Sequence, residues 1–351
     1  MDLWSTAGRW VSDPASPAAA NPEPGHGHEH DRPSLAVAVT MWVTVLLPYV
    51  GLAALVALAV TAGTAWVDLV VLGVSYLLVG FGVTIGYHRL LTHRSFASYR
   101  WVEGLFITLG AMAAQGPPVR WAATHRRHHQ KSDDHGDPHS PNLHGSGPLG
   151  VLRGLWHAHT GWLLCPDAPD VARSVRDLAA SPVVRFVDRH YGLWLLLGAA
   201  IPFGIGLAVK GTVVGGLVTM FWGMAVRIAF MHHATWSVNS ICHVFGYRTY
   251  QSGDGSRNNP VVAALALGEG WHNNHHAFPT SARHGLGRFE VDPSYIVIRA
   301  MELAGLAWDV RRPPAAARRA KALTPTGSPV AGSMTGEAPA RPDLVATPDA
   351  A

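Results

Sequence analysis

The sequence predicts an all-α integral membrane protein: four transmembrane helices in two hairpins, with a cytoplasmic helical cap that carries three histidine clusters. Three observations lead there. Of 351 residues, 48% are hydrophobic and only 14% charged, against roughly 25% charged in a soluble domain. Several stretches between the charges are long and apolar enough to cross a bilayer. The 21 histidines gather into His88-Arg-Leu-Leu-Thr-His93, His125-Arg-Arg-His128-His129 and His272-Asn-Asn-His275-His276.

Residues 1–34 are polar, Pro-rich and partly acidic, so they read as a disordered tail rather than a cleavable signal peptide. His26, His28 and His30 belong to that solvated tail. No charge occurs between Pro33 and Val67 or between Leu69 and Tyr87, and Asp68 alone separates the two runs. They predict spans at about 36–60 and 68–87 around a short outer turn. The second hairpin pairs the uncharged run 191–209 with 212–231 across Lys210-Gly211-Thr212. Arg227 in its last turn is expected near a membrane interface or facing protein. The run Gly104–Val119 is uncharged but broken at Gly116-Pro117-Pro118, which fits an interfacial or re-entrant helix rather than a span. Residues 35–312 thus form the membrane domain, with polar regions at 88–190 and 232–312. Residues 313–351 read as a second disordered tail.

Charge sets the topology. Twelve arginines and lysines lie between His88 and His190, while the two outer turns hold only Lys210. The positive-inside rule puts that region and both tails in the cytoplasm. An even number of spans then brings all three histidine clusters to the same side of the cell membrane. A net charge of only +4 gives no footprint for a nucleic-acid partner. The two cysteines, Cys165 and Cys242, supply neither a disulfide framework nor an iron–sulfur pattern.

On an α-helix, positions i, i+3 and i+4 share a face, so His125, His128 and His129 aim one way and His272, His275 and His276 do the same. His88 and His93 are five apart and share a face only if the helix ends between them, near 90–92. Eight imidazoles exceed the four ligands of tetrahedral zinc and suit two metals with open positions for a small molecule such as O2. Ligand type leaves Zn, Cu, Fe and Ni open. The Glu-x-x-His pattern of soluble di-iron bundles is absent. So is the His-Glu-x-x-His of metalloproteases, because Arg126-Arg127 and Asn273-Asn274 occupy the inner positions. A redox role is favoured over hydrolysis. Asp134, Asp137 and Glu269 are candidates to orient ligand imidazoles. His135, His139, His144, His157, His159, His190 and His284 read as loop or supporting residues, and His232 and His233 as packing.

The three clusters resemble the histidine boxes of membrane fatty acid desaturases. The flanks Gly86-Tyr87-His88-Arg89-Leu90, Gly136-Asp137-Pro138-His139, Thr235-Trp236-Ser237-Val238-Asn239-Ser240 and Gly268-Glu269-Gly270-Trp271-His272-Asn273 resemble the acyl-CoA Δ9 (stearoyl-CoA-type) desaturases, over roughly residues 36–300. The resemblance implies two iron ions held by nine histidines, the ninth being His243. One iron would take His88, His93, His125, His129 and His276. The other would take His128, His243, His272 and His275, with Asn239 reaching it through a water. It implies that Gln115, Trp121, Thr235 and Trp236 line the bend of an acyl tunnel. The activity implied is O2-dependent: two hydrogens leave adjacent methylenes of a saturated acyl chain, giving a cis double bond. No haem, flavin, dinucleotide or iron–sulfur motif accompanies the boxes, so a ferredoxin or flavin-dependent reductase is expected to supply electrons. Two other readings of the clusters are a histidine-box lipid or carotenoid hydroxylase and a membrane metal transporter. The flanks disfavour the first. The second usually places its ligands at mid-membrane, where these clusters do not lie.

Overall fold

The computed structural model describes Ala53, Val56, Ala57 and residues 60–164 and 175–324. The expected span at 36–60 falls almost wholly outside these residues, as does the amino-terminal tail. Among the described residues, three helices are long and apolar enough to cross a membrane: α1 (Trp66–Thr92), α6 (Tyr191–Lys210) and α7 (Val213–His243). Between α1 and α6 lie α2 (Arg100–Ala111), α3 (Pro118–Lys131), α4 (Gly147–His159) and α5 (Pro182–Arg189). After α7 come α8 (Pro260–Leu265), α9 (His272–Ala277), α10 (Pro293–Leu303) and α11 (Ala315–Lys321). The short strands β1 (Ala97–Ser98) and β2 (Ala307–Trp308) pair antiparallel, Ala97 with Trp308.

The three apolar helices share one end. Asp68, fully buried near the start of α1, accepts from Lys210 Nζ at 2.6 Å and from Thr219 Oγ1 at 2.6 Å. That joins the beginnings of α1 and α7 to the last residue of α6. The opposite ends carry His88, Tyr191 and His243, so all the histidine clusters gather on one side, as expected from the sequence. There Tyr191 Oη accepts from the Gly116 N–H at 3.0 Å, and Tyr87 Oη donates to the Gly116 carbonyl at 3.2 Å.

The segment Gly82–Thr92 of α1 winds as a π-helix. The His93 N–H donates to the His88 carbonyl, five residues back, at 3.1 Å. In this i→i+5 winding, residues five apart stack on one side. The helix ends at Thr92, as the sequence predicts, but the widened turn is what aligns His88 with His93. Glycines let α2 lie close against this segment. A Cβ on Gly82 would meet the Gly110 nitrogen at 2.1 Å, and one on Gly86 the Phe106 carbonyl carbon at 2.8 Å. Around the crossing, Tyr87, Leu91, Ile107, Ala122 and Val184 form one buried cluster, and Ile85, Leu90, Phe96, Ile298 and Met301 another. The end of α1 is therefore wedged from both sides.

Three boundaries differ from the sequence reading. The non-spanning helix begins at Arg100 and stops at Ala111, well before Val119. The helix of the last expected span does not stop near 231. It continues through a π segment, Phe221–Val226, as far as His243. Arg227 faces protein, one of the two places expected for it: its buried guanidinium donates to the carbonyls of Gly223 and Met112, each at 2.8 Å. And the chain past 313 is structured as far as residue 324, including α11.

Candidate metal centre

Nine histidines meet where α1, α3, α7 and α9 converge, in two groups. His88, His93, His125, His129 and His275 form one, and His128, His243, His272 and His276 the other. The groups adjoin, with the rings of His129 and His276 4.5 Å apart. The second cluster is split as the resemblance implied, His125 and His129 to one side and His128 to the other. The third cluster is split the opposite way. His275 Nε2 lies 3.1 Å from His88 Nε2 and 2.9 Å from His129 Nε2, so it is His275 and not His276 that joins the first group. Neighbouring residues on a helix point roughly 100° apart, and α9 is turned so that His276 faces His128, ring centroids 5.1 Å apart.

Carboxylates fix the imidazoles from behind. Glu269 Oε2 lies 2.7 Å from His88 Nδ1, Asp137 Oδ1 3.0 Å from His128 Nδ1, Asp133 Oδ2 3.1 Å from His243 Nδ1, and Asp254 Oδ2 2.5 Å from His276 Nδ1. A carboxylate at Nδ1 keeps the proton there and leaves Nε2 as a lone pair. Asp137 and Glu269 thus take the role expected of them. Asp134 is exposed and does not; its neighbour Asp133 does. Burial raises the affinity of all four acids for a proton, yet the facing imidazoles hold each below the ordinary carboxylate range. Burial and then neighbouring imidazoles hold His125, His129, His272 and His275 well below the ordinary histidine range, which keeps them neutral.

Facing Nε2 atoms lie 2.9–3.1 Å apart across both groups. Nitrogens bound to a metal at about 2.1 Å on adjacent octahedral positions would be about 3 Å apart. Among the described residues, none hydrogen-bonds the buried Nε2 of His128 or of His276. Imidazole nitrogens that converge in a buried space, two of them without a hydrogen-bond partner among the described residues, fit a site for cations.

The residues between the ligands serve as anchors. Arg126 binds both oxygens of Asp177 at 2.7 and 2.9 Å and the carbonyls of Leu91 and Thr92 at 3.2 and 3.1 Å, clamping the end of α1 beside His93. Asn273 Oδ1 accepts from the Thr249 and Tyr250 N–H groups at 2.8 Å each, and Asn274 donates to the His284 carbonyl and to Glu290. Glu269 also receives buried Arg89 at 3.2 Å. It sits beside Gly268 at φ +107, where a Cβ would lie 2.3 Å from Asp292 Oδ1. His284 and His139 are closer to the centre than loop residues would be: His284 lies 3.2 Å from Glu269, and the His139 ring centroid lies 4.3 Å from that of His128.

Of the residues assigned to an acyl tunnel, three meet. Gln115 Nε2 donates to Thr235 Oγ1 at 2.9 Å, and Trp121 Nε1 donates to Gln115 Oε1 at 3.2 Å. Trp121 stacks on His125, centroids 5.1 Å apart. Trp236 does not join them; it packs on His159, His232 and His233. His232 and His233 are outside both groups, as expected, and bond the Ala113 carbonyl and His159 at 2.9 Å each. Asn239 stands half-buried on α7, one turn before His243. The sequence held no signal for Asp133 or Asp254, since each reaches its histidine across the fold rather than within a helix turn.

A family model described as fatty acid desaturase matches residues 64–293. The chain is 42% identical over 234 residues to the sn-1 stearoyl-lipid 9-desaturase of Anabaena variabilis, covering 66% of this chain and 79% of the relative. It is 42% identical over 244 residues to the hex-5-enoyl-(acyl-carrier protein) acetylenase of Moorena producens (strain JHB), covering 69% and 76%. It is 40% identical over 239 residues to an acyl-CoA 5-desaturase of Anemone leveillei, covering 66% and 68%.

Proposed function

Because the chain belongs to the fatty acid desaturase family, and so is an oxidoreductase, we propose that it introduces a cis double bond at Δ9 of a saturated acyl chain, using two iron ions and O2. The observation that carries this reading is the pair of histidine groups with converging Nε2 atoms. His88, His93, His125, His129 and His275 would hold one iron, and His128, His243, His272 and His276 the other, with Asn239 reaching the second through a water. When bound, this centre supplies the oxidation by O2 that removes two hydrogens from adjacent methylenes.

The chain's own part is orientation and exclusion of water. Glu269, Asp137, Asp133 and Asp254 hold protons on Nδ1 and so keep Nε2 free. Gln115, Trp121 and Thr235, linked through Gln115 and with Trp121 stacked on His125, are the residues we assign to the acyl chain beside the centre. Positioning matters here because an unactivated methylene offers no polar handle, and an error of about 1 Å can cost roughly a hundredfold in rate.

A lipid-linked acyl group is the substrate we favour, on the strength of the stearoyl-lipid relative. The acyl-CoA relative supports CoA as the second carrier. Four spans, the fourth from residues 36–60, would set the enzyme in the cell membrane with both termini and the metal centre cytoplasmic. A ferredoxin or flavin-dependent reductase would deliver two electrons per turnover on that face.

The test is gas chromatography of fatty acids from cells that express a competent reductase with either the wild-type chain or His128→Ala. Wild type is expected to yield Δ9 monounsaturated chains and the variant none. Identical profiles would overturn the proposal, and a hydroxylated product would move it to the hydroxylase reading. Isotope-labelled saturated acyl-CoA, followed into free CoA esters and glycerolipids, separates the two carriers.

A further inference from the structure

We infer that the carboxy-terminal strap, residues 307–323, positions the third histidine cluster, with Lys321 as its positioning residue. The inference rests on the two-iron reading above. The strap lies beyond the residues that the desaturase family model matches, 64–293.

It begins beside the first cluster. β2 pairs with β1, just past His93. The Arg311 N–H donates to the Ser95 carbonyl at 2.8 Å, while the Arg311 carbonyl accepts from the Ala282 N–H at 2.9 Å. One residue's backbone thus joins the exit of the first cluster to the segment following the third. The strap then runs through α11 to Lys321, whose Nζ donates to the Ala277 carbonyl at 2.7 Å and lies 5.3 Å from the centre of the Phe278 ring. Ala277 is the last residue of α9. A helix of six residues cannot hold itself together, and its final carbonyls need partners. An ammonium at that end satisfies one of them and complements the helix dipole.

The strap also grips the loop behind the cluster. The Gln251 N–H donates to the Lys321 carbonyl at 2.8 Å, and the Leu323 N–H to the Thr249 carbonyl at 3.0 Å. The same loop wraps the Asn273 side chain and continues to Asp254, which orients His276. Asn273 and His276 of α9 are therefore both held by a loop that the strap backs.

The experiment uses the full-length, iron-loaded chain. Release of iron to a colorimetric ferrous chelator is timed for wild type, Lys321→Met and Lys321→Arg, and amide hydrogen exchange is followed over residues 249–251 and 273–278. Lys321→Met is expected to release iron roughly tenfold faster, the lower end of the effect of losing an outer partner of a metal ligand, and to exchange faster in both segments. Lys321→Arg should restore both. Release and exchange equal to wild type would overturn the proposal. So would faster unfolding with an unchanged release rate, the mark of a merely structural contact. Leu323→Pro, which removes the N–H given to Thr249, provides the same comparison if Lys321→Met does not fold. A wild-type chain that holds no iron would overturn the two-iron reading instead, and the exchange data would still decide the strap.

Discussion

Asp133 and Asp134 are adjacent acids with opposite situations. Asp133 Oδ2 lies 3.1 Å from His243 Nδ1 and 2.7 Å from the Gly255 N–H, whereas Asp134 points to solvent. Asp133→Asn is expected to weaken iron binding about ten- to a hundredfold, the range for an outer hydrogen-bond partner of a ligand. Asp134→Asn should leave it within about twofold of wild type. Iron per chain after dialysis against graded chelator checks both, and equal losses would count against the assignment. The nine histidines of the two groups could all be named before the fold was known, because the boxes carry eight and the resemblance supplies His243. Their division between the two groups differs from the one the resemblance implied only at His275 and His276. His275 and His276 are neighbours on one helix, and only the rotation of α9 decides which of them meets His88. That rotation is set by Asn273 and Asn274, which look unremarkable in a sequence: Asn273 Oδ1 accepts from the Thr249 N–H, more than twenty residues away, and Asn274 Oδ1 accepts from the Asn258 side-chain amide at 2.8 Å, sixteen residues away.

At the scale of the element, charge-free runs are enough to find the apolar helices but not how they wind or where they stop. Composition leaves Arg227 at a membrane interface or facing protein, and the structure buries it with its guanidinium donating to the Gly223 and Met112 carbonyls. The His88–His93 spacing hints at an irregular helix end, and the π winding is the form it takes. That winding depends on α2 lying against α1 over glycines, which two alanine substitutions in α1 separate. Gly86→Ala brings a Cβ to 2.8 Å from Phe106 backbone and is expected to destabilise by about 1–3 kcal/mol, as overpacking does. Gly73→Ala meets nothing within 4 Å and should be neutral or stabilise by up to about 1 kcal/mol through helix propensity. Thermal unfolding of the detergent-solubilised protein gives both signs, and a Gly86→Ala midpoint at or above wild type would contradict the close crossing.

For the whole molecule, the pairing of Asp68 with Lys210 and Thr219 at one end and the histidines at the other gives the chain two poles of different character. The first pole is complete: its buried charge is met by Lys210, by Thr219 and by the Ala65 N–H. The second is not. It crowds imidazole nitrogens together, and two of them, on His128 and His276, find no hydrogen-bond partner among the described residues. A buried acceptor left without a partner costs about 1–3 kcal/mol, so the protein without metal carries an internal repulsion that the loaded protein lacks. On the two-iron proposal, mass action makes iron a part of the folding equilibrium. The unfolding free energy should climb with the logarithm of free iron, by about 2.7 kcal/mol at a hundred times the dissociation constant, and chelator should lower the melting temperature without touching any catalytic step. A melting temperature indifferent to iron would mean the cage is relaxed when empty. Otherwise, iron scarcity would be expected to reduce the amount of this enzyme as well as its turnover.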